Sequence, residues 1–386
     1  MVNGALFVSS NFPPKLGGTC TLYANLYRRR RPETLAVLTA RHQEAESFDQ
    51  DFGREIVRAP FEPRHWTKPF EWLELGLRRF PAARRIMKRR GFREIHCGTP
   101  FPEGVVGLAA KKWLGARLVL WVLGEDAEFF RHCKIEAPLQ RWMMRTADRV
   151  IAISENTARI CRELGATEKN LRLVYPGVDL SAFRPDADGA ERVRQRHGVE
   201  AGPVLVTVGR LHKRKGHDKV LEALPAVRER FPGATYLIVG DSTGAPPGDA
   251  EELHRIVERL RLQDAVRFVG PAPSCELSAY YSAADLFVMP NRQVGEESEG
   301  FGICFLEAAA CGKTCVAGNS GGTVDAVLHE KTGLVVDGVN VNEVAGAIIR
   351  LLTNADERKR FEQAALARAA EFSWDRVHER FEAAIA

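Results

Sequence analysis

The sequence predicts an α/β protein of two domains, each a parallel sheet wrapped by helices. Three observations predict it. Short apolar runs alternate with helical stretches along the chain, the pattern of strand–helix–strand units. The pattern restarts at Pro203, after the proline-, glycine- and acid-bearing stretch Phe183–Gly189. Several runs also end in glycine-bearing loops, and open α/β sheets bind ligands at the carboxyl ends of their strands. At 386 residues the chain is long enough for two full cores. The expected division is 1–182 and 183–371, with a last helix over 372–386.

In the first half, Ala5–Ser10 reads as a strand, Asn11–Thr19 as a turn-rich loop with Gly17 and Gly18, and Thr21–Tyr27 as a helix. Strand, Gly-Gly loop and helix together make a phosphate cradle or a plain turn. Leu35–Thr39, Glu55–Arg58, Glu94–His96 and Arg117–Leu123 read as further strands. From Leu77 to Arg93 there are eight Lys/Arg and no acid, with Leu77, Phe80, Ile86, Met87 and Phe92 as apolar surface. Such a stretch lies on an anionic membrane or is a solvated helix face, and Pro81 is a point at which it breaks. Leu123-Gly-Glu125-Asp126 ends a strand with acids, and Asp148–Glu155 reads as another strand leading to Ser154, a cap for the helix beginning near Asn156.

In the second half, Pro203–Val208 runs into Gly209-Arg210-Leu-His-Lys-Arg-Lys215-Gly216 and then a helix. Arg grips phosphate oxygens bidentately and Lys adds a point charge; the alternative is a basic surface loop. Thr235–Gly240 and Ala265–Gly270 are strands ending in glycine. Asp285–Pro290 leads into Asn291–Gly312, polar and acidic at first, then a buried helix with Ile303, Phe305 and Leu306. Glu299 sits in its loop, Gly300 and Gly302 flank Phe301 at the junction, and Glu307 lies one to two turns into the helix. The segment offers two carboxylates for hydroxyl groups and a helix N-terminus for a diphosphate. A sugar nucleotide needs both. The bland alternative is a capped helix with two surface glutamates.

Bulk properties bound the function. Composition is that of a globular protein, and no apolar run is long enough to span a bilayer. The start Met1-Val-Asn-Gly carries neither basic leader nor cleavage site, so the expected location is the cytoplasm, peripheral to the inner face of the cell membrane. Eight scattered cysteines without a Cys-x-x-Cys pair read as reduced thiols. Residues 1–180 hold 30 Lys/Arg against 20 Asp/Glu, while the rest hold 25 against 30. A basic first half suits an anionic membrane surface, a lipid phosphate or an acidic glycan; no nucleic acid partner is expected.

The set Gly209-Arg210…Lys215-Gly216, Phe268-Val-Gly270, Asp285–Pro290, Glu299-Gly-Phe-Gly…Glu307-Ala and Ser320-Gly-Gly322 resembles the retaining glycosyltransferases of family four, the group 1 glycosyl transferases. The Gly17-Gly18 loop and the Val174–Asp179 turn fit as well. Within the family the chain is most similar to bacterial mannosyltransferases that use GDP-mannose. The resemblance implies a GT-B fold, two Rossmann-like doubly wound domains facing a cleft, with the last helix crossing back to the first. It implies a nucleotide-sugar donor, a lipid-linked or polysaccharide acceptor, retention of configuration, and no metal or other cofactor. Arg210 and Lys215 would grip the diphosphate, Glu307 the ribose hydroxyls, and Glu299 the transferred sugar. Backbone amides around Gly300, Phe301, Gly302 and Ile303 would meet sugar and phosphate, with Gly270 nearby. Gly17 and Gly18 would approach the phosphates from the other domain.

One position departs from that pattern. Many members carry a histidine before the glycine of Leu123-Gly124, and here Leu123 stands there. Glu125 or Asp126 then takes over part of its role toward sugar or acceptor, or donor preference differs, or activity is weak. His96 and His132 are expected to be structural. A UDP-sugar-dependent transferase, a UDP-N-acetylglucosamine 2-epimerase-like enzyme and a non-catalytic sugar-nucleotide binder are the alternatives.

Overall fold

The computed structural model describes the chain apart from residues 1–3, 16, 61–70, 132, 200 and 244, so His132 lies outside the described residues. The chain divides into two compact units, Met1–Pro176 with Trp374–Ala386, and Gly177–Ser373.

The first unit is built on seven parallel strands: β1 (Ala5–Ser9), β2 (Leu35–Ala40), β3 (Glu55–Ala59), β4 (Glu94–Cys97), β5 (Arg117–Val122), β6 (Arg149–Ala152) and β7 (Leu171–Leu173). Their order is β3-β2-β1-β4-β5-β6-β7. A sheet covered on both faces needs apolar side chains at consecutive positions, and all of β1 is buried accordingly. Ser154 caps the helix Glu155–Glu163, its hydroxyl accepting from the Thr157 amide.

Pro81 does not break the basic helix, which runs unbroken over Glu71–Arg90. Proline inside a helix costs about 3 kcal/mol. Against that, Leu75, Ala83, Ile86 and Met87 are buried, each large apolar side chain contributing about 1.5–3 kcal/mol. Packing on the unit's core therefore outweighs the lost backbone bond.

The helix Trp374–Ile385 closes the first unit, burying Trp374, Val377, Phe381 and Ile385. The Phe381 ring stacks on Trp121 at 5.2 Å and meets Tyr27 edge-on at 5.7 Å. Arg30 grips Glu382 with two bonds of 2.7 and 3.0 Å. His96 is buried here between the Tyr27 hydroxyl (2.7 Å) and the Glu94 carboxylate (2.5 Å), so it is structural.

The second unit carries β8 (Val204–Val208), β9 (Thr235–Val239), β10 (Val266–Gly270), β11 (Leu286–Met289), β12 (Cys315–Gly318) and β13 (Gly333–Val336), in the order β10-β9-β8-β11-β12-β13. All neighbours are parallel. Residues 177–186 belong to this unit. The Val178 amide donates to the Phe372 carbonyl, and the Asp186 amide donates to the Ser282 hydroxyl. The acid-rich stretch after Pro185 starts a helix, Ala187–Arg196, because Asp186 caps it through the Gly189 amide.

Phe381→Ala removes the ring at the centre of the aromatic cluster. We expect a loss of about 3–5 kcal/mol in denaturant unfolding of the first unit. A loss below about 1 kcal/mol would show that the last helix is not seated on that core.

Candidate functional site

The strand order of the second unit reverses between β8 and β11, the switch point at which open α/β sheets bind ligands, and the loops leaving these two strands build the candidate site. The first loop is Gly209–Gly216. His212 caps the short turn Lys213–Lys215, accepting from the Arg214 amide through Nδ1. Gly216 then turns with φ 79°, and a Cβ there would sit 2.2 Å from the Pro290 carbonyl oxygen. Only glycine lets the two loops approach this closely.

The second loop, Pro290–Gly302, is fastened to the first by several bonds. The Arg292 amide donates to the Arg214 carbonyl at 2.9 Å. The Arg292 guanidinium pairs with Asp218 through two bonds of 2.8 Å. His212 Nε2 lies 2.7 Å from Glu297. The innermost contact is Glu299, 8% exposed. Its Oε2 accepts from Lys215 Nζ at 2.5 Å and from the Arg214 guanidinium at 2.9 Å. Burial alone would raise this carboxyl, but Lys215 and Arg214 beside it, with Arg210 contributing, hold it at about 2. Arg210 itself is exposed.

Gly302 opens the helix Ile303–Ala310 with φ 89°. Phe301 is buried and lies near Phe372, while Gly300 and Ile303 are half-buried. The amides of the first helical turn are the ones without intrahelical acceptors and point out of the helix, as at any helix N-terminus. Glu307 Oε2 accepts from the Tyr281 hydroxyl at 2.7 Å. Burial raises the Glu307 carboxyl, an effect that the Tyr281 bond and Lys215 only partly offset.

The structure thus brings Arg210, Lys215, Glu299, Gly300, Phe301, Gly302, Ile303 and Glu307 to one end of the second sheet. Gly270 ends β10, two strands from β8, where its carbonyl accepts from the Gly240 amide. Arg214, Tyr281 and the His212–Glu297 link were missed from sequence. The run Lys213-Arg214-Lys215 signals cations, but not which of them turn inward: Arg214 and Lys215 do, and Lys213 is exposed.

Gly17, Gly18, Glu125 and Asp126 belong to the first unit. Gly17 precedes the helix Gly18–Tyr27 with φ 140° and open space around it. Asp126 Oδ1 accepts from the Leu123 and Gly124 amides, both at 2.9 Å. Its Oδ2 is buried and has no hydrogen-bond partner among the described residues. Burial raises this carboxyl to about 7 despite the amides. Glu125 is half-buried. A further carboxylate was missed: Glu103 is fully buried and ties the loop after β1 to the loop after β4, through the Ser10 amide at 2.6 Å and the Thr99 hydroxyl.

Known proteins resemble this chain along its length. A family described as Glycosyltransferase Family 4 matches residues 18–182, and one described as Glycosyl transferases group 1 matches residues 190–368. A GDP-mannose-dependent alpha-(1-6)-phosphatidylinositol monomannoside mannosyltransferase of Mycolicibacterium smegmatis is 33% identical over 358 residues, covering 92% of this chain and 90% of that protein. A D-inositol 3-phosphate glycosyltransferase of Acidothermus cellulolyticus is 33% identical over 347 residues, covering 84% and 74%. Among solved structures, Anabaena HepE in complex with UDP-glucose superposes with a TM-score of 0.82 over 98% of both chains at 21% identity, which shows the fold.

The Glu299 cluster has a pH signature. A carboxyl lowered on folding contributes stability that is full above its unfolded value and is lost as pH falls through the folded one. We expect Glu299→Gln to be less stable than the natural protein at neutral pH, and the gap to close as pH falls from about 4.5 toward about 2. Urea midpoints measured across that range check it; a gap independent of pH would show that Glu299 is not held ionised by Lys215 and Arg214.

Proposed function

This chain belongs to the group 1 glycosyl transferases, and we propose that within them it moves mannose from GDP-mannose to a lipid-linked or polysaccharide acceptor, with retention of configuration and without a metal. The chain is a hexosyltransferase of the GT-B class, with two Rossmann-like α/β units. The observation that supports the mechanism best is the cation cluster over Glu299 at the β8–β11 switch point.

Loss of a nucleoside diphosphate builds negative charge on the leaving oxygen. Arg210, Lys215 and the first turn of Ile303–Ala310 supply fixed positive potential there, which stabilises the transition state more than the ground state. Side-chain cations thereby do the work that a divalent ion would otherwise do. Glu299, kept ionised, accepts from hydroxyls of the transferred sugar. Glu307 accepts from the ribose hydroxyls. The departing phosphate takes the acceptor's proton, so no separate base is required. Mannose, GDP and a lipid acceptor are supported by the names of the relatives, several of which act on phosphatidylinositol mannosides. The D-inositol 3-phosphate glycosyltransferases share an inositol phosphate with those acceptors, and an inositol phosphate headgroup is the acceptor feature we favour. A UDP-sugar donor is the second reading.

The expected location is the cytoplasmic face of a membrane, with the first unit against anionic lipid. No helix among the described residues is long and apolar enough to cross a membrane. The structure revises which side chains would touch lipid. Ile86, Met87 and Phe92 are core residues, and Phe80 is partly buried, so they are not available for insertion. In their place stand exposed Leu77, Trp113 and Trp142, on three helices that share one core: Glu71–Arg90, Glu103–Leu114 and Glu136–Thr146. Trp113 packs on Phe80 at 5.1 Å, with Lys112 over its ring. Arg84, Arg85, Lys88, Arg141 and Arg145 are exposed on two of the same helices. Exposed indoles among cations suit the headgroup layer, where each Lys or Arg contributes about 1 kcal/mol.

We expect calorimetry to show binding of GDP-mannose in preference to UDP-glucose. GDP release in the presence of phosphatidylinositol monomannoside should be unaffected by EDTA. UDP-glucose preference would overturn the donor, and EDTA loss restored by Mg²⁺ would overturn the metal-free mechanism. For the membrane surface, sedimentation with anionic liposomes at low salt should exceed that with neutral ones and fall with added salt. Replacing Trp113 and Trp142 by Ser should reduce it. Equal recovery on both lipids would remove the membrane face.

A further inference from the structure

Two cations share one oxygen of Glu299, and they are not equivalent. Lys215 is expected to meet the diphosphate, which makes its bond to Glu299 one that the donor competes for. Arg214 is locked differently. It is 5% exposed, its amide donates to His212, and its carbonyl accepts from Arg292 on the loop that carries Glu299. Its guanidinium meets the same Oε2 as Lys215. The backbone of Arg214 is thus joined to one side of the Glu299 loop while its side chain holds the carboxylate.

We propose that Arg214 is a positioning residue: it retains Glu299 Oε2 when Lys215 turns to the diphosphate, so that Glu299 stays ionised with Oε1 directed at the transferred sugar. The inference rests on the donor-site reading of Glu299 and Lys215. The physical reason is the cost of an unpaired charge. A carboxylate this buried, left without a cation, either pays a desolvation penalty of several kcal/mol or takes up a proton. With a single cation, donor binding would force the choice between gripping the diphosphate and keeping the carboxylate. Two cations remove the conflict. A guanidinium suits the retained role, since it stays charged and its planar fork fixes direction, whereas the flexible ammonium of lysine suits the mobile one. Arg210 also adds to the field that keeps Glu299 ionised, and its side chain is exposed.

The test uses Arg214→Gln, Arg214→Lys, Glu299→Gln and the double variant Arg214→Gln/Glu299→Gln, each first shown to be folded by thermal melting. GDP release from GDP-mannose with phosphatidylinositol monomannoside gives kcat and KM, and calorimetry gives GDP affinity. Loss of a hydrogen bond to a charged group corresponds to roughly ten- to hundredfold in rate. The expected result for Arg214→Gln is a fall in kcat of about that size, with GDP affinity within about threefold of the natural protein. Arg214→Lys should recover part of it. The double variant should be no slower than Glu299→Gln alone, because Arg214 acts through Glu299. Additive losses in the double variant would overturn the proposal, as would near-normal kcat in folded Arg214→Gln. A drop in GDP affinity in Arg214→Gln would make Arg214 a diphosphate ligand instead. A fully active Glu299→Gln would overturn the donor-site reading itself, a result distinct from all of these.

Discussion

The second unit depends on one buried charge. Glu299 lies 84 residues from Lys215 in sequence, yet the two are in direct contact inside a site from which water is largely excluded. A carboxylate survives there only because two cations reach it, and they reach it only because the loops after β8 and β11 run side by side. That adjacency follows from the strand order. It is tightened by Gly216, where any side chain would strike Pro290, and by the Arg292–Asp218 and His212–Glu297 pairs. Each of these bonds is modest if exposed, but together they fix loops that would otherwise be mobile. The two loops and the buried charge between them are thereby held in one arrangement by the chain's own bonds.

The fold was legible because strands buried on both faces write themselves as continuous apolar runs, and β1, β5, β8 and β9 all do so. That Glu299, Gly300, Gly302 and Glu307 sit at a loop–helix junction was legible because the signals that start a helix are local. Pro81 misled because propensity is local while the burial of Ala83, Ile86 and Met87 is tertiary. The same burial explains why apolar residues beside a cationic run were read as membrane-facing when most of them face the core. Arg214 was hidden for a different reason. Three consecutive cations carry no periodicity, and the direction of each is set by a short turn whose cap, His212, is itself placed by tertiary contacts. Glu103 was invisible because a buried carboxylate that bonds a distant amide leaves no pattern in the sequence.

The first unit repeats the logic with opposite electrostatics. Its order reverses between β1 and β4, and Glu103 spans the loops that leave those two strands as Glu299 spans the loops of the second unit. Here the carboxylates bond to amides and hydroxyls rather than to cations. Burial then wins for Asp126, whose carboxyl is pushed to about 7. The amides of Leu123 and Gly124 are spent on Asp126 Oδ1, so the turn at the departing position is held by its own acid. The remaining oxygen, Oδ2, is the part of that side chain still able to bond.

The contrast between Glu299 and Glu307 shows how far environment decides the role of a side chain. The two are eight positions apart in one segment and read alike in sequence. Glu299 sits beyond the helix start, where Lys215, Arg214 and Arg210 converge, and the field overcomes burial. Glu307 sits inside the helix against Tyr281, a neutral donor, and burial prevails. The segment thus places its two glutamates in different surroundings, one in the loop and one in the second turn of the helix Ile303–Ala310.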